Sequence, residues 1–120
     1  MSDRAGIGTR GEDLAAGYLR QKGCIIRERN WHSGRTEIDI IAENSEYIIF
    51  VEVKSRSAGF SVPPAEAVSV PKQRTIIFAA NNYLDHYSLD KEARFDIITV
   101  IFDGPASEIE HIENAYYPTL

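Results

Sequence analysis

The sequence predicts one α/β domain, a mixed central sheet flanked by helices. Three observations carry this expectation. Apolar residues recur at intervals of three and four near 10–22 and 71–87, the period of a helix. They alternate or run continuously near 36–42, 47–54 and 94–102, the pattern of strands. The second helical segment also lies between strand candidates, where a crossover can bring the chain back parallel to the strand it has just left. At 120 residues the chain has material for one core and one domain, 1–120.

Residues 1–8 are expected to be flexible. Thr9 and Glu12 then have the spacing of a capping box, with the Thr hydroxyl on an orphan amide and the Glu reaching back. Leu14, Ala15, Tyr18 and Leu19 supply the apolar stripe, and Lys22-Gly23 reads as a stop. A strand is expected over 24–31, followed by a loop through His32 and Arg35. Over 36–42, strict alternation puts Glu37 and Asp39 on one face with Ile38 and Ile40 on the other. A short turn leads to a strand over 47–55, making a hairpin in which Phe50, Glu52 and Lys54 share one face and Ile49, Val51 and Val53 the other. The connection over 56–70 is rich in Ser, Gly and Pro, with one short helical turn expected after Pro64. Pro71 suits the first turn of a helix, where a missing amide costs nothing. Ala93 to Phe102 reads as a buried strand, 108–112 as a polar edge strand and 118–120 as a tail.

Composition narrows the class. With 43% hydrophobic and 26% charged residues, this is a folding chain and not a disordered tail. No apolar run approaches the length that spans a bilayer, and the first residues lack the apolar core of a signal peptide, so a cytoplasmic protein without membrane partners is expected. A lone cysteine, Cys24, cannot close an internal disulfide, and His32, His86 and His111 have no metal-ligand spacing. The net charge of -5 conceals a division. Residues 1–60 carry nine basic and nine acidic side chains, whereas 61–120 carry four and nine. A locally basic surface is therefore compatible with an acidic chain.

The concentrated chemical signal is Asp39, separated by twelve residues from Glu52-Val53-Lys54. In a hairpin, the two carboxylates and the lysine face the same way. Carboxylates held close together repel unless a cation lies between them, and hard oxygen donors suit Mg²⁺ or Mn²⁺. Spacing alone also fits a solvated strand face of cross-strand charge pairs, which is the commoner use of such residues.

The blocks GEDLAAGYLRQKGCIIRERN, TEIDIIA, FVEVKSRS, PKQR with the following AAxxYL, and ARFDIITV together resemble the bacterial YraN-like family. That family is in turn similar to archaeal Holliday-junction resolvases of the PD-(D/E)xK nuclease superfamily. The resemblance runs from Gly11 to about Tyr116 and departs at Thr36, where the family usually has glycine. It implies a restriction-endonuclease-like core and a metal-dependent endonuclease cutting phosphodiester bonds in DNA, branched or structured DNA included. By the same resemblance, Asp39, Glu52 and the Val53 carbonyl would bind Mg²⁺ or Mn²⁺, Lys54 would position or activate the attacking water, and Glu12 would hold water or a second ion. Arg10, Arg35, Arg56, Lys72 and Arg74 are the candidates for phosphate contact, which positions nucleic acid without reading its sequence. Glu37 is a weaker candidate on the Asp39 face. A homodimer would suit symmetric cleavage of a junction, and RNA stays open as an alternative substrate. The other function class is a nucleic-acid-binding accessory protein with a weak or inactive site.

Overall fold

Successive residues of the strand Tyr47–Ser57 (β3) turn to opposite faces of a sheet, and both faces are apolar. In the computed structural model, which describes residues 3–59 and 68–117, this strand is the middle of five. The others are β1 (Ile25–Ser33), β2 (Thr36–Glu43), β4 (Glu92–Asp103) and β5 (Ala106–Ile112), arranged in chain order. The pairs β1–β2, β2–β3 and β4–β5 are antiparallel, whereas β3–β4 is parallel, so the sheet is mixed as expected.

Each face carries one helix. Ile48 and Phe50 of β3, with Ile41, Phe95 and Ile97, pack on Ile76, Ala79, Ala80 and Tyr83 of α2 (Val70–His86). Ile49 and Val51, with Ile40, Ile98 and Val100, pack on Ala15, Ala16 and Leu19 of α1 (Asp3–Gln21). Each fully buried Ile or Leu contributes about 2 kcal/mol by leaving water. α2 starts as its sequence suggests. Ser69 is the N-cap, its hydroxyl accepts from the Lys72 amide at 3.3 Å, and Pro71 lies in the first turn.

α1 corrects an expectation. It begins at Asp3 and runs through Thr9 and Glu12, so those residues are interior and form no capping box. Gly6, Gly8 and Gly11 make the segment look like a poor helix, because glycine costs backbone entropy. At Gly11, the missing side chain has a use. A Cβ there would collide with Ser55 Oγ and stand 3.3 Å from Ser55 Cβ, so glycine lets α1 settle directly on β3. Residues 1–2 and 118–120 and the turn expected after Pro64 lie outside the described residues.

A buried polar hub joins β4, β5 and α1. Asp96 is fully buried and accepts from Arg94 Nε at 3.0 Å, Arg94 Nη2 at 2.9 Å and the Asn114 amide at 3.2 Å. His111 Nε2 lies 2.7 Å from the same carboxylate, and its Nδ1 lies 3.0 Å from the Tyr18 hydroxyl. Burial alone would push the Asp96 carboxyl up, but the His111 and Arg94 hydrogen bonds and the guanidinium charge outweigh it and hold the carboxyl below its ordinary value. Its stabilisation is therefore complete above the unfolded-state pKa of about 4 and lost as the pH falls through the folded-state value. Asp96→Asn is expected to cost roughly 3–5 kcal/mol at pH 7, since Arg94 would be left buried without its counter-charge. Urea titrations should show the gap to wild type narrowing as the pH falls below about 4.

Candidate active site

The site begins where two strands part. The β2–β3 pairing runs from Glu43 opposite Ile48 to Ile40 opposite Val51. Beyond it the Val53 amide donates to Asp39 Oδ2 at 2.8 Å, so a side chain takes the place of the next ladder partner. Ile38 packs in the α2-side core and Ile40 in the α1-side core, which corrects the expectation that they share a face. The break in alternation coincides with Asn30, which lies between the pairs Arg29–Ile40 and Trp31–Ile38 and has φ 53°. Few non-glycine residues take up that left-handed conformation, and Asn is among the most tolerant.

The fork opens into a cleft of about 380 Å³ lined by Glu12, Asp39, Val53, Lys54 and Arg56, among others. Close packing at Gly11 delivers Glu12 from α1 to this cleft. Asn30, with its amide N–H groups turned toward the carboxylates, donates to Glu12 Oε1 and Glu37 Oε1, each at 2.9 Å. Glu52 lies deeper, only 7% exposed, and shares the Phe50 face as the strand period requires. Its Oε1 receives two ammonium groups, Lys54 Nζ at 3.3 Å and Lys72 Nζ at 2.7 Å.

Thus Glu12, Asp39, Glu52 and Lys54 converge, joined by Glu37 and Lys72. The other basic candidates are dispersed. Arg56 lines the cleft and donates to the Ser55 carbonyl at 3.0 Å. Arg10 is exposed, with its guanidinium 4.8 Å from the centre of the Phe102 ring. Arg35 is exposed at the β1–β2 hairpin and Arg74 is exposed on α2.

Electrostatics set Asp39 apart. Burial raises its carboxyl, the Glu52 charge raises it further, and the result is a value of about 7 despite the Val53 hydrogen bond. Burial also raises Glu12, with the Glu37 and Asp13 charges adding to it and the Arg29 charge opposing. For Lys72, hydrogen bonding and attraction to Glu52 overcome the lowering effect of burial, so its ammonium form is favoured.

The donor chemistry fits a hard divalent cation: two carboxylates that repel each other, with the main chain of Val53, bonded to Asp39 and next to Glu52 in the chain, beside them. Among the described residues no three Asp, Glu, His or Cys side chains form a ready-made cage. Such an ion would therefore keep water in several positions, as Mg²⁺ commonly does. Because the Asp39 carboxyl is raised, its cost to folding is absent below about pH 4 and grows until the pH passes its folded-state value. Asp39→Asn retains an acceptor for the Val53 amide. It is expected to raise the melting temperature by a few degrees at pH 8 and to leave it nearly unchanged at pH 4, as scanning calorimetry can check.

Sequence reasoning missed Asn30, although an Asn inside a strand candidate is itself a signal because it fits poorly in a regular ladder. It also missed the Lys72–Glu52 pair, which spans the connection before α2. Trp31 makes an edge contact with Tyr83 of α2, the ring centres 5.1 Å apart. Cys24 is partly buried, and burial pushes its thiol up, away from nucleophilic use. Among the described residues no helix is long and apolar enough to cross a membrane.

A model of the uncharacterised protein family UPF0102 matches residues 11–100. Relatives named UPF0102 protein include one from Porphyromonas gingivalis, 44% identical over 118 residues that cover 97% of this chain and 87% of the relative. One from Bacteroides thetaiotaomicron is 41% identical over 120 residues, covering 100% and 99%. Another from Geobacter metallireducens is 45% identical over 111 residues, covering 92% and 91%.

Proposed function

The chain belongs to the uncharacterised protein family UPF0102, and from that premise and the carboxylate fork we propose that it is a metal-dependent endonuclease of the PD-(D/E)xK type, hydrolysing phosphodiester bonds in DNA. The reading takes the sheet and its helices as a restriction-endonuclease-like core. It names branched or structured DNA as the favoured substrate. The observation that supports it most is the meeting of Asp39 and Glu52 at the β2–β3 fork with Lys54 on the Glu52 side.

Asp39, Glu52 and the Val53 carbonyl would hold Mg²⁺ or Mn²⁺, whose chemistry when bound is Lewis-acid stabilisation of charge on phosphate. The remaining work belongs to the chain. Lys54 donates to the attacking water or a phosphate oxygen, and its fixed positive charge offsets the charge that develops in the transition state. Glu12, held by Asn30, orients water at the mouth of the cleft. Arg56 and Lys72 would meet the phosphodiester, and Arg10, Arg35 and Arg74 would reach more distant phosphates. Cutting two equivalent strands of a junction calls for two sites, hence a homodimer.

A second reading is a nucleic-acid-binding accessory protein with little or no catalysis. It is favoured by two lysines neutralising Glu52 within a chain of net charge -5. Single-turnover assays on linear, flapped and four-way DNA with Mn²⁺ separate the two. Cleavage is expected, with Lys54→Met slowing it by roughly 10²-fold or more while metal and DNA affinity change modestly. Tight binding of Mn²⁺ and DNA without cleavage of any substrate selects the accessory reading.

A further inference from the structure

We propose that Lys72 is a built-in counter-cation that a divalent ion must displace from Glu52, so that this lysine sets the site's affinity for metal. The inference rests on the metal-site reading above.

A carboxylate as buried as Glu52 needs a positive partner, and two ammonium groups converge on its Oε1. They are not equivalent. Lys54 stands two residues along the same strand and its side chain is 20% exposed, so β3 fixes where it can go. Lys72 comes from α2, makes the shorter contact and is 42% exposed. It can swing into solvent by rotation of its own side chain. Its backbone stays anchored meanwhile, with the amide on Ser69 Oγ at 3.3 Å and the carbonyl accepting from Thr75 Oγ1 at 2.8 Å. Nothing in α2 itself favours a cation there. The first turn holds no acidic residue, and positive charge at a helix N-terminus opposes the dipole. Glu52 is the group that accounts for the placement. A dication shared by Asp39 and Glu52 would repel a nearby ammonium and compete for the same carboxylate charge. Metal entry and Lys72 departure therefore become one exchange.

Calorimetric titration with Mn²⁺, paired with melting curves, tests this on wild type, K72M and K72R. Metal-free K72M is expected to melt below wild type but to bind Mn²⁺ about tenfold more tightly, because the competitor is gone. K72R keeps the cation and should bind no more tightly than wild type. E52Q combined with K72M should abolish the gain. If K72M melts too low to titrate, K72Q retains a donor without the charge and should shift affinity the same way. Wild-type binding with equal or weaker binding by the neutral Lys72 variants overturns this inference and leaves the metal site intact. Failure of both wild type and the variants to bind Mn²⁺ overturns the metal-site reading and this inference with it.

Discussion

Glu52 sits on β3, between β2 and β4 in a sheet that carries a helix on each face, where an unpaired carboxylate would cost several kcal/mol to keep out of water. That cost organises what surrounds it. Lys54 follows on the same face, and α2 is capped by Ser69 so that Lys72 arrives at the same oxygen. The regular pairing of the neighbouring strand ends at Ile40, and Asp39 takes the Val53 amide instead. The fork thus lies where charge enters the centre of the sheet, and the cleft opens at the fork.

Two buried aspartates show how differently one side chain can be used within this sheet. Asp96 is surrounded by donors, with Arg94, His111 and the Asn114 amide all directed at its oxygens, and it is held ionised below its ordinary pKa. Asp39 has one amide donor and faces the charges of Glu52, Glu12 and Glu37, and it is raised to about 7. The first arrangement is complete in itself and binds elements together. The second leaves a negative site short of positive charge, and structural stability gives no reason for that deficit. Perturbation of this kind in a cleft marks a candidate site, and on the proposed reading it distinguishes Asp39 from Asp96.

The strands were legible because their signals were local. Alternation and β-branched content located β2, β3 and β4 within a few residues, and the strand period correctly placed Glu52 and Lys54 with Phe50. The start of α1 was not legible. Gly6 and Gly8 lower the helix propensity of the segment expected to be flexible, and Gly11, inside the expected helix, serves close packing against Ser55, a contact 44 residues away in the chain that no helix propensity encodes. The same holds for Asn30, whose left-handed backbone breaks the alternation at Asp39, and for Lys72, whose partner lies across a crossover. Asp39, Glu52 and Lys54 could be found because one hairpin carries all three. The groups that position and neutralise them come from other elements, so only the fold brings them in.

A chain of net charge -5 must still approach a polyanion if the proposed function is right. Near the fork, the carboxylates of Glu12, Asp13, Glu37, Asp39 and Glu52 are set against Arg29, Lys54, Arg56 and Lys72, five acidic groups to four basic ones. Such a surface neither attracts nor strongly repels DNA. On the proposed reading a dication tips that balance to positive at the point where phosphate must enter, and it frees Lys72 to add its charge beside the cleft. Metal loading then controls access as well as chemistry, because fields confined to a cleft decide local association more than the net charge of the whole chain does. An acidic protein is not a paradox for this function. On the proposed reading, a weak hold on nucleic acid in the metal-free state would follow from the same carboxylates that would bind the ion.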